Sequence, residues 1–129
     1  MDVKEFLKND RFAALLGIEV LEAYNGYAKT KLEIADIHLN AMNTVHGGAI
    51  FSLADMTLAA ASNSYGTVAV AINGNISFLK AATKGTLFAE AKETSRNSKI
   101  GYYTIDIPNS QGELISNTQG MVYFKKEVF

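Results

Sequence analysis

Cysteine is absent from the chain. Disulfides, thiolate nucleophiles and thiolate metal sites are excluded together. Histidine is scarce: His38 and His46 are the only two, too few for a histidine-rich metal site. An excess of charge of either sign is also missing. The formal net charge is −1, which offers no electrostatic footing for nucleic acid or an anionic membrane. Nor is there a long unbroken apolar run. Met56–Leu79 carries no charge, but Ser62, Asn63, Ser64, Gly66, Asn73, Gly74 and Asn75 interrupt it, and a transmembrane helix would be more continuous. The opening MDVKEFLKND lacks the apolar core of a signal peptide, so a cytoplasmic location is expected.

What is present fits one soluble domain spanning residues 1–129, with 48% hydrophobic and 19% charged residues. Near the start, Asp10 is placed to cap a short helix that Gly17 stops. Asn25-Gly26 separates two extended runs and predicts a hairpin. In the second run Ala28, Thr30, Leu32 and Ile34 alternate with charged residues, as a half-buried strand requires. From Gly47 to about Ser64 the period becomes helical. Ile50, Leu53, Ala54, Thr57, Leu58 and Ala61 share one face, and the opposite face has no Lys or Glu, which predicts a helix covered on all sides. The remainder reads as three to four strands, with a bulge or bend at Asn73-Gly74 and Pro108 ending one of them. The connections are short, so the sheet is expected to be largely antiparallel. An α+β architecture follows, with the sheet curled around one central helix.

One residue stands out in this layout. Between Asp36 and Lys80 the single formal charge is Asp55, in the middle of the predicted central helix. A carboxylate removed from water is costly unless paired, hydrogen-bonded or protonated. Asp55 is therefore either a satisfied structural group or a reactive one.

The segment NTVHGGAIFSLAD at the helix start, with Asn40 upstream and NISFLKAATKG downstream, resembles the hotdog-fold acyl-CoA thioesterases. The branch it resembles is that of the phenylacetate-degradation thioesterase PaaI. The most specific part is His46-Gly47-Gly48 with Asp55 nine residues after the histidine. The resemblance implies a hotdog fold with a curved five- to six-stranded sheet, and hydrolysis of a medium-sized or aromatic acyl-CoA. It implies no separate cofactor, since coenzyme A is part of the substrate. It also implies a homodimeric site, with dimers paired again into a homotetramer.

The chemistry can be argued from the residues. A helix N-terminus presents unpaired N–H groups and the positive end of a dipole, so the Gly47 N–H suits a developing oxyanion. Asp55 can act as general base or as nucleophile. The two are eight residues apart, roughly 12 Å along a helix at ~1.5 Å per residue. Reacting groups must lie within ~3–3.5 Å. Two antiparallel copies of the helix satisfy both conditions, Gly47 of one meeting Asp55 of the other. In relatives the Asn40 position carries an Asn or Gln that helps place the carbonyl or the water, so the resemblance implies that role for Asn40. His46 reads either as catalytic or as a hydrogen-bonding residue of the loop and helix start. Candidate substrate contacts are Gly48, Asn43 and Asn73, with Lys80, Lys84, Arg96 and Lys99 as cations for the CoA phosphates. Relatives often carry a Ser or Thr near the carboxylate, where this chain has Ala59 and Ala71. Two other functions fit the same fold: a hydratase or dehydratase acting on acyl thioesters, and a non-catalytic acyl-CoA-binding module.

Overall fold

The computed structural model describes all residues 1–129. Helix α1 (Val3–Leu7) and helix α2 (Arg11–Leu16) come first, followed by strands β1 (Glu19–Tyr24) and β2 (Tyr27–Glu33). The long helix α3 spans Gly47–Ser62. Strands β3 (Thr67–Phe78), β4 (Thr86–Arg96), β5 (Ile100–Pro108) and β6 (Leu114–Val128) complete the chain. All six strands form one sheet in the order β1-β2-β4-β5-β6-β3, and every pairing is antiparallel. The sheet wraps α3, as the hotdog expectation requires.

Local chemistry accounts for the element ends. The Asp10 carboxylate accepts from the Ala13 N–H at 2.9 Å, and Gly17 stops α2 at φ 81°. Asn25 and Gly26 both take positive φ, 47° and 79°, as a two-residue hairpin turn demands. The irregularity expected near Asn73 is a bulge: Ala71 pairs with Val122 and Asn73 with Met121, leaving Ile72 extra.

The core forms where the sheet meets one face of α3. Leu53, Ala54, Ala60 and Ala61 of the helix are fully buried, against Ala28, Leu32, Ala89, Ala91 and Ile105 of the sheet. The run of alanines keeps both surfaces low, so helix and sheet approach closely. The Leu53 side chain contributes about 1.5–3 kcal/mol by burial alone. The hydroxyls of Thr30 and Thr57 meet at 2.7 Å in this core, so neither is left without a partner.

One expectation fails. In a single chain the helix is not covered on all sides. Gly48, Phe51 and Asp55 are exposed in a line along α3. Beside that line β3 is an edge strand, exposed along most of its length. The missing Lys and Glu on this face reflect an apolar surface that one chain leaves open.

Candidate active site

The loop into α3 is held by its own polar side chains. His38 is buried; its Nδ1 accepts from the Ala35 N–H at 2.9 Å, so the ring proton sits on Nε2, which donates to the Leu16 carbonyl at 2.7 Å. The His38 carbonyl in turn accepts from the His46 N–H at 2.7 Å. Asn40 closes the turn that follows. Its Oδ1 accepts from the Met42 and Thr44 N–H groups, and its Nδ2 donates to Thr44 Oγ1 at 2.9 Å. One Nδ2 hydrogen of Asn40 is left over. Asn43 sits at the turn's left-handed position, φ 61°, with its N–H on the Asn40 carbonyl.

His46 is the N-cap of α3. Its Nδ1 accepts from the Gly48 N–H at 2.8 Å, and its carbonyl accepts from Ala49 and Ile50. The Gly47 N–H finds no loop or side-chain acceptor, and as the first helical residue it has none within the helix. A Cβ at Gly47 would stand 3.1 Å from the Phe78 ring, and one at Gly48 would stand 2.9 Å from His46 Nδ1. A side chain at Gly48 would thus have to move the His46 ring, whereas one at Gly47 would require the Phe78 ring to give by only a few tenths of an ångström. Gly47, Asn40, Lys80, Phe78 and Leu79 line one depression of about 300 Å³. There Lys80 pairs with Glu113 at 3.1 Å.

Asp55 lies two turns further on, and it opens onto different ground. One side is a depression of about 270 Å³ walled by Phe51, Ala54, Leu58, Ala71, Ile72, Asn73, Gly74 and Thr118. The other is a depression of about 300 Å³ with Asp10, Phe12, Ala13 and Ile18 of the N-terminal segment. The Asp55 carboxylate accepts no hydrogen bond, and none of the chain's ion pairs includes it. Its pKa is raised above the ordinary 3.8, first by desolvation and second by the charge of Asp10. Asp55 is exposed as a residue, yet the apolar side chains of both depressions stand around it, so exposure and desolvation coexist.

The predicted residues therefore fall into three groups. Asn40, Gly47 and Lys80 share one depression, and Asp55 and Asn73 share another. Arg96 and Lys99 lie beyond the far end of α3. The Arg96 guanidinium stacks 3.9 Å from the Tyr65 ring, and its Nε pairs with Glu93 Oε1 at 3.2 Å. Lys99 follows a turn in which Asn97 Oδ1 accepts the Lys99 N–H. Neither Ala59 nor Ala71 can supply a hydroxyl beside Asp55. Sequence reasoning missed Asp10, Phe78 and Thr118. Strand alternation counted from Gly74 would have pointed Phe78 at the helix; Asp10 and Thr118 carried no local signal.

A thioesterase superfamily model matches residues 42–116, which includes Gly47, Asp55 and Asn73. A putative esterase of Archaeoglobus fulgidus is 45% identical over 98% of this chain and 84% of its own. The acyl-coenzyme A thioesterase PaaI of Escherichia coli is 36% identical over 88% of this chain and 81% of its own. The solved structure of E. coli PaaI, from the phenylacetic acid degradation operon, superposes with a TM-score of 0.91 at 33% identity. That match covers 96% of this chain and 91% of the other. The chain belongs to the thioesterase superfamily. It has the hotdog fold of PaaI and is a thioester hydrolase.

Proposed function

We propose that the protein is a cytoplasmic acyl-CoA thioesterase acting on medium-sized or aromatic acyl groups, with its active site completed by a second copy of the chain. The observation that carries this reading is a pair of unmet groups. The Gly47 N–H lacks an acceptor and the Asp55 carboxylate lacks a donor. They stand roughly 12 Å apart along one helix. The same exposed face provides the means of joining them. An edge strand of twelve residues with Val70, Ile72 and Phe78 open, beside exposed Phe51, is a surface that a second copy can cover. Two chains set antiparallel bring Gly47 of one to Asp55 of the other, twice. Pairing of dimers into a tetramer belongs to the same proposal.

In that arrangement the Gly47 N–H donates to the thioester oxygen, and the helix dipole favours the negative charge that grows there. Asp55 takes a proton from water as the water oxygen attacks the carbonyl carbon. The tetrahedral intermediate then collapses, the C–S bond breaks, and the proton passes to the departing CoA thiolate. A raised pKa makes Asp55 a stronger base than an ordinary carboxylate. Direct attack by Asp55, with water releasing a mixed anhydride, uses the same geometry. Single-turnover hydrolysis in heavy-oxygen water separates the two, since only an anhydride can route label into Asp55. The spare Asn40 hydrogen serves the carbonyl or the water, and Asn73 lies on the Asp55 side. Lys80 is placed for a CoA phosphate beside Gly47. Arg96 and Lys99 reach the same CoA moiety only from the other copy, whose helix runs the opposite way.

The competing functions are less well supplied. A hydratase pairs a His with an acidic residue, and His46, whose Nδ1 holds the Gly48 N–H, lies nine residues and roughly 13.5 Å along the helix from Asp55. A pure acyl-CoA binder has no use for an unpaired carboxylate beside the ligand. The test is a panel of acyl-CoAs with release of free thiol as the readout, for wild type, Asp55→Asn and Asp55→Ala. Turnover by wild type and its loss in both variants is expected. Absence of turnover on every thioester contradicts the proposal.

A further inference from the structure

The depression at Gly47 contains a single cation, Lys80, and its charge is already matched. Lys80 Nζ stands 3.1 Å from Glu113 Oε2, with both side chains half exposed. An ion pair between freely moving surface side chains means little. Here both partners are fixed from behind. The Lys80 N–H donates to the Ile115 carbonyl at 3.2 Å, which ties the end of β3 to the start of β6 just past Glu113. Glu113 closes the turn between β5 and β6. Asn109 Oδ1 accepts from the Gln111 and Glu113 N–H groups at 3.0 and 2.9 Å, and Asn109 Nδ2 donates to Glu113 Oε1 at 3.1 Å. Each carboxylate oxygen therefore has its own partner, Oε1 on Asn109 and Oε2 on Lys80.

The Asn109 contact first, and Lys80 second, hold the Glu113 carboxyl below its ordinary 4.5, so it is charged at neutral pH. That charge matters to any anion that comes to Lys80. An ammonium has three N–H donors, so a phosphate oxygen can join Glu113 on Lys80 without displacing it. Two anions held on one ammonium at ~3 Å each stand no more than ~6 Å apart. At that separation in water, one unit charge on each weakens an affinity about threefold, and a dianionic phosphate about tenfold. The cation beside Gly47 is thus present but largely offset.

We propose that Glu113 is a specificity-determining residue for the carrier half of the thioester: its carboxylate offsets the Lys80 charge beside Gly47, so the phosphates of CoA are held weakly and thioesters on phosphate-free carriers compete with acyl-CoA. The proposal rests on the thioesterase reading above, with Lys80 as a phosphate contact. Glu113 takes no part in the bond-breaking step. Free CoA, the product, bears the same phosphates, so the same repulsion speeds its release.

The test places hexanoyl and phenylacetyl groups on two carriers: CoA, and N-acetylcysteamine, which ends before the phosphates. The readout is the ratio of kcat/KM for acyl-CoA to kcat/KM for the acyl-N-acetylcysteamine, with inhibition by free CoA beside it. In Glu113→Gln the amide oxygen can still accept from Asn109, so the turn is kept while the charge goes. That variant should raise the ratio about threefold to tenfold and tighten CoA inhibition by a similar factor. Hydrolysis of the acyl-N-acetylcysteamine should match wild type. Glu127→Gln removes the same charge at the other end of β6 and should leave the ratio alone. Lys80→Met should lower it. A lower ratio in Glu113→Gln would mean that the carboxylate positions Lys80 for the substrate, and an unchanged one that it does not act on the phosphates. Either result overturns the inference while the thioesterase reading stands, as does a Lys80→Met variant that leaves the ratio unmoved. If wild type hydrolyses neither kind of thioester, both fall together.

Discussion

A carboxylate on α3 and another just beyond its C-terminal end make an instructive contrast. Glu93 lies beyond its C-terminal end and is saturated. It accepts from the Tyr65 hydroxyl at 2.9 Å and the Tyr103 hydroxyl at 3.0 Å, and it pairs with Arg96. That network joins the helix end to β4 and β5, and it raises the pKa of both tyrosines, by burial first and the Glu93 hydrogen bond second. Asp55 lies mid-helix and has nothing. The same functional group, about two to three turns away, is a structural clamp in one place and an unpartnered carboxylate in the other. What separates them is the supply of donors, and only the idle one faces the open side of the molecule.

Breaking each carboxylate should have opposite consequences. Asp55→Asn should lower kcat/KM on the best thioester by about a thousandfold or more, the scale of removing a general base or nucleophile. Its stability should hold or rise at neutral pH. The sign follows from the raised pKa of Asp55. A group with a raised folded-state pKa contributes stability below its unfolded pKa, and that contribution is lost as pH rises through the folded value. At neutral pH the ionised group is therefore a net cost, which asparagine removes. Thermal melts beside the kinetics check both halves. Glu93→Ala should do the reverse. It strands two tyrosine hydroxyls and a guanidinium, costing about 2–4 kcal/mol in a urea titration, while the folded fraction keeps its turnover.

Gly47→Pro sharpens the contrast on the donor side. His46 is extended, at φ −59° and ψ 136°, which is the conformation a residue before proline adopts. Proline is also welcome at the first helical position. The substitution thus deletes the unpaired N–H, and its Cβ asks the Phe78 ring to give by a few tenths of an ångström. Loss of about a hundredfold to a thousandfold in kcat is expected, with the fold retained by circular dichroism. Smallest is the effect of Asp10→Asn. Asparagine keeps the α2 cap but removes the charge that is the second cause of the Asp55 shift. The acid limb of the kcat/KM profile, which should lie above the ordinary carboxylate value in wild type, should move to lower pH in the variant.

Much of the fold was legible because short-range rules decide it. Asn25-Gly26 had to be a turn. The buried set Ile50, Leu53, Ala54, Thr57, Leu58 and Ala61 followed from helical period alone. His46-Gly47-Gly48 and Asp55 were legible as a pair because helix rise converts sequence distance into ångströms. What could not be read depends on strands that meet across the chain. Thr118 reaches the Asp55 depression only because β6 pairs with β3, and no local pattern encodes that partner. The exposed face of α3 was misread for a related reason. An apolar face looks the same whether its cover comes from the same chain or from another.

In the proposed site Gly47 and Asp55 act from different chains. Mixing the two dead variants tests it most directly. Gly47→Pro and Asp55→Asn chains, unfolded together and refolded as mixed dimers, place an intact Gly47 opposite an intact Asp55 at one of the two sites. With random pairing, about one quarter of wild-type turnover should return, half the dimers being mixed and half their sites intact. Turnover no greater than the sum of the separate variants, in a preparation shown to contain mixed dimers, would mean that each site is built within one chain.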